Sequence, residues 1–411
     1  KLRHILNSLQ NLGDRIKRIQ LYTTYEKSLS GEFKTDVDFS KFPTRQKINF
    51  NLLISNISLD SSAFRHALRL TIALLLGYLI SLFFSVGHGY WILLTIATII
   101  KPAYSLSKQR NIQRLTGTFI GVLIGFLVLY ISHNDTVIFI MMLVAMVLAY
   151  SLLKLNYAVS IAGITVYLFL SFHFLYPHGL DTILADRIID TLIGCVIAYA
   201  VSYFVLPSWE YQQIDKLVNA SVVSTKKYFN AVAAVFTGNA PSATAYKISR
   251  KEAFVTLANL SDTFQRMLSD PKTQQPNLPL YQQFVAADHI LTSHIASLSD
   301  YAQQFGNIYQ HSDFQPLINL IDKVFDDYEK SEIQIKEAGV EDLQSTPIYK
   351  RVKRLLEQRK KDLESSGIEG TPAETIKMLS ELVRITDQFR VIYSTAREVV
   401  KIAGEIRESR V

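Results

Sequence analysis

Charge is scarce in about a third of this 411-residue sequence, a stretch in its first half. Residues 63–206 contain eight Lys or Arg, four Asp and no Glu among 144 residues. A water-soluble domain of that size needs many more charged side chains to cover its surface. The shortage therefore excludes a soluble fold for this region and predicts the lipid bilayer as its surroundings.

Cysteine and catalytic motifs are also missing or rare. The single cysteine, Cys195, excludes an intrachain disulfide and a cysteine-based zinc site. The sequence has no phosphate-binding loop, dinucleotide glycine fingerprint, nucleophile elbow or zinc-protease helix. We therefore expect no enzyme, no catalytic residues, no cofactor and no metal. Four histidines at predicted outer helix ends are explained more simply as interfacial polar residues than as a metal site: His88, His133, His173 and His178.

Six apolar segments have the length and composition of membrane helices. A hydrocarbon core about 30 Å thick takes about 20 residues of helix, which several segments approach or reach. The segments are 63–86, 90–100, 115–131, 137–153, 158–175 and 186–206. No strand pattern competes with them. We therefore predict an all-α fold built on a six-helix transmembrane bundle.

The second segment is unusually short. Residues 89–100 form at most about 18 Å of helix, and Lys101 and Pro102 follow at once. Either this helix breaks at membrane depth, as helices do beside transporter binding sites, or it bends at Pro102 and continues into the interface. Tyr90 and Trp91, at its start, are expected to be interfacial anchors.

The charges of the membrane region are sorted by side. Lys and Arg collect in short cytoplasmic loops, and only Arg187 lies on the acidic side. We therefore expect both termini in the cytoplasm of a multi-pass protein. The basic ends carry Arg65, Arg69, Lys101, Lys108, Arg110, Arg114 and Lys154, and the acidic ends carry Asp135, Asp181, Asp186 and Asp190.

Three domains are predicted. Residues 1–60 are expected to form a cytoplasmic amphipathic helix and linker, 61–207 the six-helix transmembrane domain, and 208–411 a cytoplasmic helical domain. The net charge of +7 and the pI near 9.1 follow from the cytoplasmic flanks, so we expect no nucleic-acid partner. Breaks between the helices of the third domain are predicted at 238–242, 270–279, 306–312 and 367–372.

A row of glycines marks the third membrane segment. Gly117, Gly121 and Gly125 are four residues apart, which puts them on one helix face and lets another helix approach closely. We predict that this face serves helix packing. A seam that slides during transport is the alternative.

Five basic residues are candidates for substrate binding. Arg65 and Arg69 share one helix face, and Arg110 and Arg114 repeat that spacing. Together with Lys101 they are predicted to form a cationic vestibule in which guanidinium groups bind carboxylates. The positive-inside rule alone also explains positive charge at these positions, so both explanations stand.

Asp190 is the acidic residue most suggestive of function. It lies one turn deeper in the sixth segment than Asp186. An ionisable group at that depth is a functional hypothesis by default, and here the hypothesis is a proton carrier. Arg187, three residues earlier, takes part in proton coupling or forms a structural ion pair with Asp190.

Several segments resemble a known family. Most specific are 64–69 (FRHALR), 89–95 (GYWILLT), and Lys101-Pro102 followed by Arg110, Arg114, Gly117, Thr118 and Gly121. Further similarity lies in the sixth segment, at 207–210, and in the tail to Pro271. Over about residues 60–271 the chain resembles the fusaric acid resistance protein-like (FUSC) family, in particular the second half of proteins of its YccS/YhfK branch.

The resemblance implies a bacterial inner-membrane efflux component, because some members export aromatic carboxylates with the proton gradient. It also implies a distant similarity to the aluminium-activated malate transporters of plants, which are anion channels. We expect a proton-coupled exporter of organic anions, with an anion channel or a non-transporting membrane scaffold that binds partners as alternatives. The expected partners are the lipid bilayer, a small organic anion, and a second copy or a missing N-terminal half. A second copy or an upstream half is expected because the chain resembles only the second half of such proteins, and the open face of its helices must be covered. The sequence begins with Lys rather than Met, which indicates a fragment of a longer chain.

Overall fold

The computed structural model describes Gly13 and residues 54, 56–59, 61–83, 89–175, 180–305, 308–329, 340–366 and 373–409. Nearly all of the predicted cytoplasmic segment 1–60 lies outside these residues. Within them the chain is helical and has no strand, in agreement with the predicted all-α class.

The apolar region folds into six helices. Their bounds are α1 Ser62–Phe83, α2 Tyr90–Ile99, α3 Tyr104–Ile131, α4 Asp135–Leu152, α5 Tyr157–Leu175 and α6 Leu180–Phe204. Five of them, all except α2, are long and apolar enough to cross a membrane. The ten residues of α2 extend about 15 Å, which is half the thickness of a hydrocarbon core.

Helix α2 is buried in the bundle although it is short. It packs against α1 and α6 at two glycines. A Cβ atom at Gly77 of α1 would lie 2.5 Å from Cδ1 of Ile96, and one at Gly194 of α6 would lie 2.7 Å from Cβ of Thr95. The lack of a side chain at Gly194 lets α2 approach α6 closely, and at Gly77 it leaves space for the end of the Ile96 side chain.

The chain breaks between α2 and α3. Ile100 is extended, with ψ 122°, and the next helix begins at Tyr104. The Ser107 hydroxyl accepts a 2.9 Å hydrogen bond from the Lys101 N–H, which satisfies a backbone donor in the break. The helix is therefore broken here, and the prediction that it bends at Pro102 and continues is wrong.

Helices α3 and α5 approach closely along the predicted glycine row. A Cβ atom at Gly117 would lie 2.5 Å from the Ala158 carbonyl oxygen, and one at Gly121 would lie 2.6 Å from Cβ of Thr165. At Gly125 it would lie 3.0 Å from the ring of Phe169. The row therefore faces α5. The 28 residues of α3 reach about 42 Å, so this helix starts three turns before the predicted segment 115–131.

A second group of helices follows α6 and shares one hydrophobic core. Aromatic rings fill its centre, where Phe389 contacts the rings of Phe229, Phe236 and Phe314 at 5.6–6.2 Å between centroids. The predicted breaks coincide with ends of these helices. Their bounds are α7 Tyr211–Ala233, α8 Ala243–Met267, α9 Leu278–Phe305, α10 Gln315–Glu329, α11 Val340–Ser345, α12 Pro347–Ser366 and α13 Ala373–Glu408.

A short connector joins the two groups. The chain leaves α6 through Leu206, whose φ of 45° is left-handed, and Pro207 prevents the helix from continuing. The Trp209 ring then packs on Tyr104 of α3 at 5.0 Å and on Tyr203 of α6 at 5.8 Å. Lys108 of α3 also donates a 3.0 Å hydrogen bond to the Ser269 carbonyl oxygen beyond α8.

Polar contacts of Glu210 add to this joint, the set of contacts that connects the two helix groups. The buried Glu210 accepts hydrogen bonds of 3.0 and 3.2 Å from the Arg266 guanidinium. Its backbone N–H donates to Oδ2 of the buried Asp270 at 3.0 Å. The start of α7 is therefore fixed to the end of α8.

Candidate anion-binding site along a short helix

Arg69 of α1 lies at the end of α2 and is fully buried. Its Nη2 donates a 2.8 Å hydrogen bond to the Pro102 carbonyl oxygen in the break after α2. Its Nε and Nη1 atoms have no hydrogen-bond acceptor among the described residues. Burying a guanidinium with free donors is costly, so this position suits an anion that accepts from them.

Two more predicted cations lie near Arg69. Arg65, one turn earlier on α1, is half-buried and acts electrostatically on Arg69. The half-buried Lys101 lies beside His66, which also feels the charge of Arg69. The structure therefore brings Arg65, Arg69 and Lys101 together around the break.

Arg114 of α3 lies beside the last turn of α2, and only 3% of it is exposed. Its Nη1 donates to the Thr98 hydroxyl at 2.9 Å and to the Tyr157 hydroxyl at 3.4 Å. Its Nε has no acceptor in the described part of the chain. Arg110 places its guanidinium carbon 4.2 Å from the Tyr157 ring centroid, a cation–π contact. Tyr157 thus orients both arginines.

Three polar partners of this group were not predicted from the sequence. Thr98 and Tyr157 hold Arg114, and the Asn111 side chain donates a 3.0 Å hydrogen bond to the Cys195 carbonyl oxygen. Asn111 is 8% exposed, and its Oδ1 has no donor among the described residues. A signal was available, because an amide between two arginines of a membrane helix is expected to face protein rather than lipid.

Arg187 of α6 lies at the opposite end of α2. It is 7% exposed, and its guanidinium carbon is 4.9 Å from the ring centroid of Trp91 in the first turn of α2. The Trp91 ring meets the Phe172 ring edge-to-face at 5.9 Å. Trp91 is only 4% exposed, so its expected role as an interfacial anchor is wrong. It faces inward because α2 lies between α1 and α6, while Tyr90 stays exposed.

Asp190 is fully buried one turn after Arg187 on α6. Arg187 feels the attraction of Asp190 and the repulsion of Arg114. The charges at the two ends of α2 are therefore close enough to influence one another.

Three buried arginines thus follow α2 from its end to its start: Arg69 at the break, Arg114 at the last turn and Arg187 at the first turn. Each has at least one guanidinium nitrogen without an acceptor among the described residues. A carboxylate has two oxygens that accept hydrogen bonds from such nitrogens. The described residues contain no cluster of three or more potential metal ligands, and His88 and His178 lie outside them.

Comparison with known proteins gives the family context. Residues 74–201 match the family described as Fusaric acid resistance protein-like. The inner membrane protein YccS of Escherichia coli K12 is 29% identical over 248 residues, covering 60% of this chain and 34% of YccS. An uncharacterized protein of Haemophilus influenzae is 28% identical over 312 residues, covering 75% and 42%. The uncharacterized protein YhfK of Escherichia coli K12 is 25% identical over 252 residues, covering 61% and 35%.

The chain therefore spans between about a third and two fifths of the length of these curated relatives. The matched region contains all the glycines that face neighbouring helices in the apolar bundle, as well as Arg114 and Arg187. With its long apolar helices and inner-membrane relatives, this is a multi-pass inner-membrane protein that is similar, over residues 74–201, to the fusaric acid resistance protein-like family.

Proposed function

We propose that the chain forms part of a bacterial efflux transporter that exports organic carboxylate anions, aromatic ones in particular, coupled to protons. The observation that supports this function is the row of Arg69, Arg114 and Arg187 along α2. A buried guanidinium without a counter-charge costs several kcal/mol, so an anion that reaches these side chains is stabilised by them. A transported anion is such a counter-charge.

The proposed topology has six crossings with both termini in the cytoplasm. The segment 1–60 and the domain 208–411 are then cytoplasmic, and the inner end of the bundle is the one that carries Arg65, Arg69 and Lys101. The positive-inside rule supports this orientation. Five crossings are the long helices. The remaining one, second in sequence order, is proposed to be α2 together with the break, where the backbone is surrounded by protein rather than lipid.

The proposed roles follow this orientation. Arg65, Arg69, Lys101, Arg110 and Arg114 attract the substrate carboxylate from the cytoplasm. Asp190 takes up and releases the coupling proton, and Arg187 tunes it from one turn away. The row of Gly117, Gly121 and Gly125 holds α3 and α5 together beside this path. The lipid bilayer and a second copy or a second half of the protein are the proposed partners that complete the pore.

Uptake of radiolabelled benzoate into everted membrane vesicles tests the proposal. Arg114→Gln is expected to lower uptake by about tenfold or more, because the anion loses a charge-assisted hydrogen bond. Lys154→Gln is the matched control, since it removes a positive charge from an exposed site on the same proposed side. Equal uptake by Arg114→Gln and Lys154→Gln would exclude the arginine row as the substrate path.

The role of Asp190 has a separate test. A proton gradient, acid inside the everted vesicles, is expected to stimulate benzoate uptake by the wild type. Asp190→Asn is expected to lose this stimulation while uptake down a benzoate gradient persists. Unchanged stimulation in the variant excludes Asp190 as the proton carrier.

An anion channel is the second candidate. The observation that favours it is the continuity of fixed positive charge from the break after α2 to its first turn, as in charged anion pores. The membrane potential, negative inside, already drives a monovalent anion outward by about 2.3 kcal/mol per 100 mV, without protons. Single-channel currents of benzoate or chloride in planar bilayers, unaffected by a pH gradient, would favour the channel over the carrier.

A further inference from the structure

Arg187 borders a small cavity at the start of α2. Its walls come from α2, α3, α5 and α6, and all of them are apolar except Arg187 and one hydroxyl group. That hydroxyl, of Thr165, already donates to the Ile161 carbonyl oxygen at 2.8 Å. Arg187 is therefore the only charged residue among the described residues that line this cavity. The main walls are Trp91, Val122, Leu168, Phe169 and Phe172.

The guanidinium of Arg187 has hydrogen-bonding capacity to spare. Its Nε and Nη1 atoms have no acceptor among the described residues, although the side chain is more than nine-tenths buried. Trp91 offers the face of its ring to the guanidinium, which stabilises the charge without using any N–H group. The N–H groups on Nε and Nη1 thus remain available to an anion.

We infer that this cavity is a second anion-binding site, which takes the carboxylate of an aromatic acid on Arg187 and its ring among Trp91, Phe169 and Phe172. The inference rests on the proposed function, in which an aromatic anion leaves the protein at this end of α2. Edge-to-face contacts such as that between Trp91 and Phe172 are the arrangement in which a further ring packs favourably.

The site is closed in this structure. The cavity measures about 10 Å³, which is the space of about one water molecule. An aromatic ring therefore enters only when wall side chains rotate. Three of the wall residues, Val122, Leu168 and Phe172, are half-buried rather than buried.

Asp190 competes with the bound anion. Its negative charge already attracts Arg187 from one turn away on α6. A substrate carboxylate must therefore compete with Asp190 for the Arg187 guanidinium, and repulsion between the two carboxylates weakens substrate binding. Neutralising Asp190 is expected to tighten anion binding at this site, the opposite of what removal of a ligand-binding residue does.

Tryptophan fluorescence reports on this site directly. The chain has two tryptophans, Trp91 and Trp209, so Trp209→Phe leaves a single reporter that touches Arg187. Sodium benzoate is titrated into this variant purified in detergent. We expect saturable quenching by benzoate. Acetate, chloride and benzamide each lack either the ring or the charge, so we expect them to bind at least about tenfold more weakly.

Four further substitutions in the Trp209→Phe background decide the outcome. Arg187→Gln is expected to abolish saturable quenching, and Lys154→Gln to leave it unchanged. Asp190→Asn is expected to lower the benzoate Kd several-fold. Val122→Phe, which fills the cavity without changing charge, is expected to block binding and provides the test if Arg187→Gln fails to fold.

The site is overturned if benzoate quenching persists in Arg187→Gln and Val122→Phe, or if chloride binds as tightly as benzoate. If benzoate causes no saturable quenching in the single-tryptophan protein, the cavity holds at most water and the proposed site is overturned as well. These measurements need no transport. Binding with these properties in a protein without vesicle uptake refutes the exporter but not the site, and uptake without binding refutes the site alone.

Discussion

The guanidinium of Arg69 donates a 2.8 Å hydrogen bond to the carbonyl oxygen of Pro102, so that α1 fixes the break between α2 and α3. The contact joins positions 33 residues apart in sequence. It explains how a backbone oxygen freed by the break after α2 keeps a hydrogen-bond donor.

Arg69→Gln is expected to destabilise the protein by about 2 kcal/mol, because the Pro102 carbonyl oxygen loses a charged donor in a buried site. The measurement is thermal or denaturant unfolding of the purified protein in detergent. Arg65→Gln, one turn away on the same helix and half-buried, serves as the control and is expected to change stability by less than about 0.5 kcal/mol. Equal losses in the two variants would contradict the structural role of Arg69.

Substitution of the glycines tests the packing of α3 on α5. Gly117→Ala and Gly121→Ala are each expected to cost about 1–3 kcal/mol, because the new Cβ overlaps backbone atoms of α5 that cannot move independently. At Gly163, in the contact of α5 with α4, the nearest atom to a new Cβ is 3.1 Å away. Gly163→Ala is therefore expected to cost less. Equal unfolding temperatures for the three variants would contradict the close contact of α3 and α5.

The Glu210–Arg266 pair at the joint between the two helix groups is suited to a double-mutant cycle. Arg266→Gln leaves the carboxylate of Glu210, which is 3% exposed, without its charged donor and is expected to cost about 3 kcal/mol. Adding Glu210→Gln is expected to recover part of that loss, because the uncompensated buried charge disappears. Additive losses, measured by unfolding, would show that the two residues do not act as a pair.

Asp270 gives the joint a pH dependence. Burial raises the pKa of its carboxyl from 3.8 to about 6, and the neighbouring Glu210 carboxylate adds to the rise. The folded state therefore binds this proton more tightly than the unfolded state between about pH 4 and pH 6. Stability from this group increases as the pH falls through that window, by about 3 kcal/mol at most, and is constant above it.

Asp270→Asn is expected to remove this pH-dependent part of the free energy of unfolding. The amide oxygen of the new side chain can still accept the hydrogen bond from the Glu210 N–H. The variant should be more stable than the wild type at pH 7.5, with a difference that shrinks towards about pH 4. Unfolding temperatures of both proteins across this pH range provide the measurement. A difference that stays the same at all pH values would place the titrating group elsewhere.

The helical class and the positions of the long apolar helices were predictable from the sequence, because a bilayer imposes length and composition on every crossing. The breaks of the second helix group were predictable from glycine and proline. The start of α3 was not, since its first three turns, from Tyr104 to Arg114, are polar and are held by contacts with Trp209 and Thr98 rather than by lipid.

The candidate site was predictable in part. Arg69, Arg114 and Arg187 stand out as rare charges, but their burial depends on α2, and a short apolar segment does not reveal its neighbours. The glycines that admit α2, Gly77 and Gly194, are isolated and lack the spacing that marks the row on α3. Trp91 was misassigned because an aromatic residue at the start of a membrane segment is usually an anchor.

The connector after α6 has a mechanical consequence. Helix α6 carries Arg187 and Asp190, and only six residues separate its end from the start of α7. Trp209 packs on Tyr104 and Tyr203, and Glu210 is hydrogen-bonded to Arg266. A tilt of α6 would therefore also move α7 and α8. A protein or small molecule that binds α7 and α8 would thus restrict the movement of α6 and slow the proposed anion transport without entering the bilayer.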